Sequence, residues 1–212
     1  MRDRILETAT SMFVERGYDG VAMREISDAC GITKAALYYH FTGKAELLSE
    51  IFTAYLDEIT VVIAAAVEGG GSAEARLRRV VRGMFEVPQE RRAILRLAMH
   101  DVGSLDTEQR AAFGQAYRHR FIGPLKQIVA DGTASGEFVR KDPELVVWML
   151  LGMVYPFFAP SHGNHATAES TTVDDLLDIL CHGLAIRDRR ADTSDRGSVR
   201  DARQVRYGLW SL

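Results

Sequence analysis

The chain has 212 residues with 26 Lys+Arg against 29 Asp+Glu, a formal net charge of −3, and it is 47% hydrophobic and 26% charged. Those proportions suit a globular protein with chain enough for one sizeable core or two small ones, and they exclude a wholly disordered or fibrous polymer. They also exclude a polybasic coat for nucleic acid, while leaving room for a small local DNA-binding face.

Helical periodicity dominates from the start. Ile5, Ala9, Met12 and Phe13 share one face of a first helix, which Gly17 stops. A second short helix is predicted from Val21 to Ala29, followed by a tight turn at Cys30-Gly31-Ile32. Thr33 is placed to cap a third helix, Lys34 to Phe41, with its hydroxyl. A longer helix from Lys44 to Val67 carries Leu48, Ile51, Phe52, Tyr55 and Ile59 on one stripe, and Gly69-Gly70-Gly71-Ser72 breaks it.

Further helices follow at Ala73 to Val87 and Glu90 to His100. Asp106, with Gln109 three positions on, starts another that runs to about Ala130, with a kink predicted at Pro124. Asp142-Pro143-Glu144 launches a helix from Leu145 to Phe158. A polar loop then leads to a last helix, Thr172 to Asp188. No alternating strand pattern competes, so the fold is all-α, with about nine helices. From Arg187 onward seven Arg face four Asp, which predicts a solvated tail, with a DNA-touching basic arm as the alternative.

No apolar run reaches the ~18 residues of a membrane span. Met1-Arg2-Asp3-Arg4 lacks the apolar segment of a signal peptide. Cys30 and Cys181 stand far apart without a CxxC, so a reducing cytoplasm is the expected compartment. His162 and His165 have an HxxH look, but no acid follows until Glu169, and no metal site is expected. No cofactor motif, P-loop or nucleophile elbow occurs, and no enzyme is expected.

The two short helices joined by the Gly31 turn have the proportions of a helix-turn-helix, whose second helix lies in the major groove. Leu37 and Phe41 point inward, leaving Lys34, Ala35, Ala36, Tyr38, Tyr39 and His40 outward. Small Ala35 and Ala36 permit close approach to base edges, and Lys44 adds a cation at a helix start, which suits a phosphate. Residues 1–48 carry six Lys/Arg and seven Asp/Glu, so Arg24, Lys34 and Lys44 have to supply the DNA face while the acids turn away.

The run from Gly17-Tyr18 through Met23-Arg24-Glu25-Ile26 and Leu37-Tyr38-Tyr39-His40-Phe41 to Lys44 closely resembles the DNA-binding segment of TetR-family (tetracycline-repressor-like) transcriptional regulators. The resemblance spans residues 2–52. It implies that Arg24, Lys34, Ala35 and Ala36 face bases, and that Tyr38, His40 and Lys44 hold phosphates. With the Thr33 cap and Tyr39 these make the expected DNA-binding set. Ala22 departs from the usual Ser or Thr cap, which implies a less well anchored second helix. Cys30 replaces a usual Ala and packs similarly.

Residues 73–188 resemble the family more weakly, through Gly132-Thr133-Ala134-Ser135-Gly136-Glu137-Phe138 leading to Asp142-Pro143. The implied organisation is a DNA-binding domain at 1–48, a helical effector-binding and dimerisation domain at 49–188, and the tail at 189–212. The last two helices are expected to pair with their copies in a homodimer through Leu145, Met149, Leu176, Ile179, Leu180 and Leu184. An effector pocket is expected among Phe85, Met99, His100, Phe113, Tyr117, Arg120, Phe121 and Trp148, with plain core packing the competing reading for each. The implied function is a one-component regulator, a repressor released from a (pseudo)palindromic DNA operator by a small, largely hydrophobic effector. The alternatives are an effector-independent DNA-binding dimer, or an enzyme or carrier with a vestigial helix-turn-helix.

Overall fold

A computed structural model describes residues 1–158 and 169–182. The His162/His165 pair, Leu184 and the 189–212 tail lie outside the described residues. The helices are α1 (Arg2–Arg16), α2 (Met23–Ala29), α3 (Lys34–His40), α4 (Lys44–Glu68), α5 (Ala73–Glu86), α6 (Gln89–Asp101), α7 (Thr107–Tyr117), α8 (Gly123–Ala134), α9 (Pro143–Val154) and α10 (Glu169–His182). Short 3-10 turns follow α6 at Val102–Ser104 and α9 at Tyr155–Phe158. A π-helical turn, Arg118–Ile122, joins α7 to α8 without a break, so the two form one irregular helix and nine helical rods result among the described residues. No strand occurs among them.

Local chemistry sets the boundaries. Gly17 closes α1 at φ 74°, a left-handed conformation that glycine adopts without steric cost, and its N–H donates to the Phe13 carbonyl. The Thr33 hydroxyl accepts from Ala36 N at 3.1 Å, the Ser72 hydroxyl from Ala75 N at 3.1 Å, and the Asp106 carboxylate from Gln109 N at 2.8 Å. Each satisfies an N–H that the helix start leaves without an internal partner. The second helix begins at Met23, two residues later than expected, because Ala22 is extended (φ −101°, ψ 149°). Next to Pro124, where a kink is expected, the helix carries this π turn: Gly123 N–H reaches back five residues to the Arg118 carbonyl, and Pro124 itself has no N–H to donate.

One apolar core runs through the described chain. At the N-terminal end Ile5, Ala9, Phe13, Ile26, Leu37 and Phe41 are essentially fully buried, with Leu47 and Leu48 of α4 closing the cluster. Further along α4, Ile51, Phe52, Tyr55, Ile59 and Ile63 belong to the second half of the core. The expected boundary after residue 48 therefore falls inside one continuous helix that packs on α1 as well as on α5 to α8.

The Gly132–Phe138 segment has a clear structural purpose. A methyl group at Gly132 would meet the Phe138 ring at 2.5 Å and Ala73 Cβ at 2.6 Å, so only glycine admits this approach of α8 to α5. The Glu137 carboxylate accepts from Ala73 N at 3.0 Å and Glu74 N at 3.1 Å, capping α5 from a distant part of the sequence.

Candidate nucleic-acid interface

Glycine at 31 (φ 61°) makes the turn between α2 and α3, and buried Leu37 anchors α3 from its inner side. Thr33, Lys34, Ala35, Tyr38 and Tyr39 are exposed and Ala36 and His40 half-exposed. Tyr39 is 87% exposed, far more than a packing corner requires, and its ring meets His40 edge-on at 5.4 Å. Lys34 Nζ lies 5.6 Å from the Tyr38 ring centroid. Arg24 projects from α2 beside Asp28 at 3.7 Å, with both side chains mostly exposed. An open groove between the start of α2 and α3 is bordered by Arg24, Lys34, Tyr38 and Lys44. The structure therefore gathers the nine expected DNA-facing residues around one helix-turn-helix.

The Ala22 departure is compensated. Glu25 accepts the Ala22 N–H at 2.7 Å and pairs with Arg16 of α1 at 2.7 Å. The Ala22 bond, then the Arg16 bond, hold the Glu25 carboxyl below its usual range. Half of a capping box thus survives without the cap hydroxyl. At the next junction Glu46 accepts from Thr42 Oγ1 at 2.7 Å and Thr42 N at 2.6 Å. These bonds, hydroxyl first, lower the Glu46 pKa in the same way.

Lys44 sits differently from the other two cations expected on this face. It is half-buried, and its ammonium donates to the carbonyls of Tyr18 at 2.8 Å and Val21 at 3.0 Å.

In the C-terminal half, four residues of the expected pocket share an aromatic cluster. Tyr117 stacks on Phe121 at 5.1 Å and lies 6.2 Å from Phe113, while Phe85 packs on Phe158 at 5.1 Å. The cluster also contains Tyr155, whose hydroxyl lies 2.7 Å from that of Tyr117, and Tyr55 of α4. The Arg92 guanidinium, buried at 7% exposure, lies against the Phe85 and Phe158 rings at 5.6 and 5.8 Å. Burial pushes the Tyr117 phenol up to about 12 and raises Tyr55 and Tyr155 as well.

The other four expected pocket residues lie elsewhere. Met99 is 49% exposed and Trp148 47%, His100 is exposed, and Arg120 reaches outward to Asp57 at 2.5 Å. Helical spacing placed them on plausible faces without saying which neighbour each face meets. Tyr55, Arg92, Tyr155 and Phe158 were not anticipated as members. Of these, only Arg92 carried a sequence signal, a charge interrupting the apolar side of its helix.

Trp148 joins Leu145 and Met149, 50% and 53% exposed, on the outer side of α9, opposite buried Val147, Leu150, Leu151 and Val154. On α10, Val173 and Leu177 are buried, Ile179 is 40% exposed, and Leu176 and Leu180 are half-buried. Leu180 packs partly on the chain's own core.

Among the described residues, Glu74, Asp178 and His182 bring potential ligand atoms within 4.8 Å of one another. The Arg78 guanidinium already binds Glu74 at 2.7 Å and also Asp178, supplying the positive charge that a metal ion would bring. No helix among the described residues is long and apolar enough to cross a membrane.

Residues 5–51 match the family model described as "Bacterial regulatory proteins, tetR family", and residues 70–156 that described as "Tetracyclin repressor-like, C-terminal domain". The chain is similar to the HTH-type transcriptional repressor KstR2 of Rhodococcus jostii (strain RHA1), 25% identical over 188 residues that cover 87% of this chain and 91% of the relative. Among solved structures it is similar to SCO3833, a TetR-family regulator from Streptomyces coelicolor A3, with 30% identity, a TM-score of 0.67, and 86% and 91% of the two chains covered. It is also similar to AibR, solved with isovaleryl coenzyme A and operator DNA, with 26% identity, a TM-score of 0.75, and 85% and 97% covered. The chain belongs to the tetR family of bacterial regulatory proteins, with an N-terminal DNA-binding domain and a tetracyclin repressor-like C-terminal domain.

Proposed function

We propose that the protein acts in the cytoplasm as a homodimer whose two α3 helices read half-sites of a (pseudo)palindromic operator, about 34–36 Å apart, and that a small, largely hydrophobic effector releases it. The observation that carries the DNA-reading part is the outer surface of α3. Small side chains at Ala35 and Ala36 sit between Lys34 and the exposed Tyr38 and Tyr39, a surface suited to lie within a groove. Thr33 and Arg24 flank its start, and His40 its end. Lys34, Ala35, Ala36 and Arg24 face base edges, and Tyr38, Tyr39, Thr33 and His40 reach base edges or phosphates.

The dimer reading is supported by α9, which is apolar on its outer as well as its inner side. A helix with apolar residues all round needs cover on both sides. Leu145, Met149 and Ile179, with Trp148 and Leu176 beside them, supply that second surface, and Leu180 contributes its exposed part.

The effector is proposed to enter the aromatic cluster of Phe85, Phe113, Tyr117 and Phe121, with Tyr55 and Tyr155 offering hydroxyls and Arg92 a buried cation. The isovaleryl coenzyme A of the similar AibR complex supports an acylated or otherwise apolar small molecule as the class to screen first. By linkage, the effector and the operator weaken each other's binding by the same factor.

The test is selection of bound duplexes from a random pool. The reading expects a two-fold symmetric consensus, and Tyr38→Ala with Lys34→Ala should abolish the enrichment. An enriched pool without symmetry, or enrichment that survives the double substitution, would sink the assigned face.

A further inference from the structure

The six Lys and Arg of residues 1–48 divide by what they hold. Arg2 pairs with Glu50, and Arg4 donates to the Cys30 carbonyl at the end of α2. Arg16 holds the Gly20 carbonyl and Glu25. Arg24 and Lys34 project into solvent. Lys44 belongs with the first group.

From the first residue of α4, its Nζ spans the Tyr18 and Val21 carbonyls at 2.8 and 3.0 Å and lies 4.0 Å from the Tyr18 ring centroid. An ammonium has three donors and no acceptor, so two of the three are directed at backbone and the charge rests on a ring face. The two carbonyls belong to the connection between α1 and α2. Tyr18 is itself fixed, packing on Phe13 at 5.6 Å. α1, which leads into Tyr18, also packs on α6. The connection between α1 and α2 and the start of α4 therefore meet at Tyr18 and Lys44.

We infer that Lys44 is a positioning residue: its ammonium pins the start of α4 to the backbone that launches α2, so that the helix-turn-helix takes its angle from α4. The inference departs from the phosphate-holding role that the family resemblance implies for this lysine. It relies on DNA binding only for its readout.

A pin and a phosphate ligand differ in salt dependence. Removing one lysine–phosphate pair flattens the slope of log K against log salt by about 0.9, on any sequence. Removing a pin leaves the slope unchanged and weakens binding only where geometry matters.

The experiment measures affinity across a KCl series for a duplex selected from the random pool and for a random duplex of equal length. The full-length wild type, Lys44→Met, Tyr18→Leu and the double variant are compared. Expected for Lys44→Met are roughly tenfold weaker binding to the selected duplex, the size of one charged hydrogen-bond set, an unchanged slope, and unchanged binding to the random duplex. Tyr18→Leu should weaken selected binding in the same way, and the double variant should be little worse than either single one, because both act through one junction.

A slope flattened by about 0.9 per lysine on both duplexes, or fully additive losses, overturns the pin. Should Lys44→Met fail to fold, Tyr18→Leu decides alone: weakened selected binding at constant slope supports the pin, and undiminished affinity overturns it. Failure of the wild type to bind any duplex would count against the DNA-binding reading rather than against the pin.

Discussion

The phenolic oxygens of Tyr117 and Tyr155 lie 2.7 Å apart, both side chains partly buried against the core to which Tyr55 belongs. In a neutral pair one hydroxyl donates and the other accepts, and ionisation of either would place a charge among aromatic rings.

That pair predicts alkaline sensitivity. Burial holds the Tyr117 phenol at about 12 against an ordinary 10.0. Above about pH 10 the unfolded chain releases protons that the folded chain keeps, so this stabilisation is complete below pH 10 and is lost as pH rises toward 12. Denaturant unfolding at about pH 9 and about pH 11 should show the loss, and Tyr117→Phe should reduce it. At neutral pH, Tyr155→Phe should cost about 1 kcal/mol through the missing hydrogen bond.

At the acid end the sensitive site is the DNA-reading unit. Glu25 is held below its ordinary 4.5, chiefly by the Ala22 N–H and then by Arg16. Its stabilising contribution is present above that value and disappears as pH falls through the lower folded pKa. A carboxyl NMR titration should place the Glu25 midpoint below 4.5, and Arg16→Met should move it up. A midpoint at the ordinary value would show that neither bond persists in solution.

Gly132→Ala should destabilise the fold by about 1–3 kcal/mol, the usual cost of forcing a methyl into a filled space. The added carbon meets both Phe138 and Ala73, and neither can withdraw without moving α5 or the segment after α8. Thermal denaturation checks this. A simultaneous Phe138→Leu should recover part of the loss.

Met149→Glu places a charge at the centre of the outer α9 face, where the native side chain is 53% exposed. If that face joins two copies, sedimentation should show a shift from dimer to monomer while helix content stays constant. A dimer indifferent to this charge would place the contact elsewhere.

Much of the fold was legible because helix ends are decided locally. Gly17, Thr33, Asp106 and the Asp142-Pro143 pair act within one turn of their own position, and their spacing announces them. The outward character of Tyr38 and Tyr39 was equally readable, since Leu37 and Phe41 fix which side of α3 is buried. What escaped notice depends on distant partners. Lys44 meets carbonyls 26 and 23 residues earlier in the chain, and backbone carbonyls have no sequence signature. The aromatic cluster draws Tyr55, Arg92 and Tyr155 from three separate elements. Periodicity could give each an inner face without revealing that the faces converge, and it equally misplaced Met99, His100 and Trp148.

The uninterrupted run of α4 has a mechanical consequence. Its 25 residues make a rod about 37 Å long at 1.5 Å per residue. A tilt of about 5° at one end displaces the other by about 3 Å over such a length, comparable with a hydrogen bond and, in the proposed dimer, coarse enough to spoil the register of two helices with successive grooves. Amplification of this kind needs no melting and no hinge. With the Glu68 end of the rod held in place, a sideways shift at Tyr55, the twelfth of its residues, would be nearly doubled at Lys44.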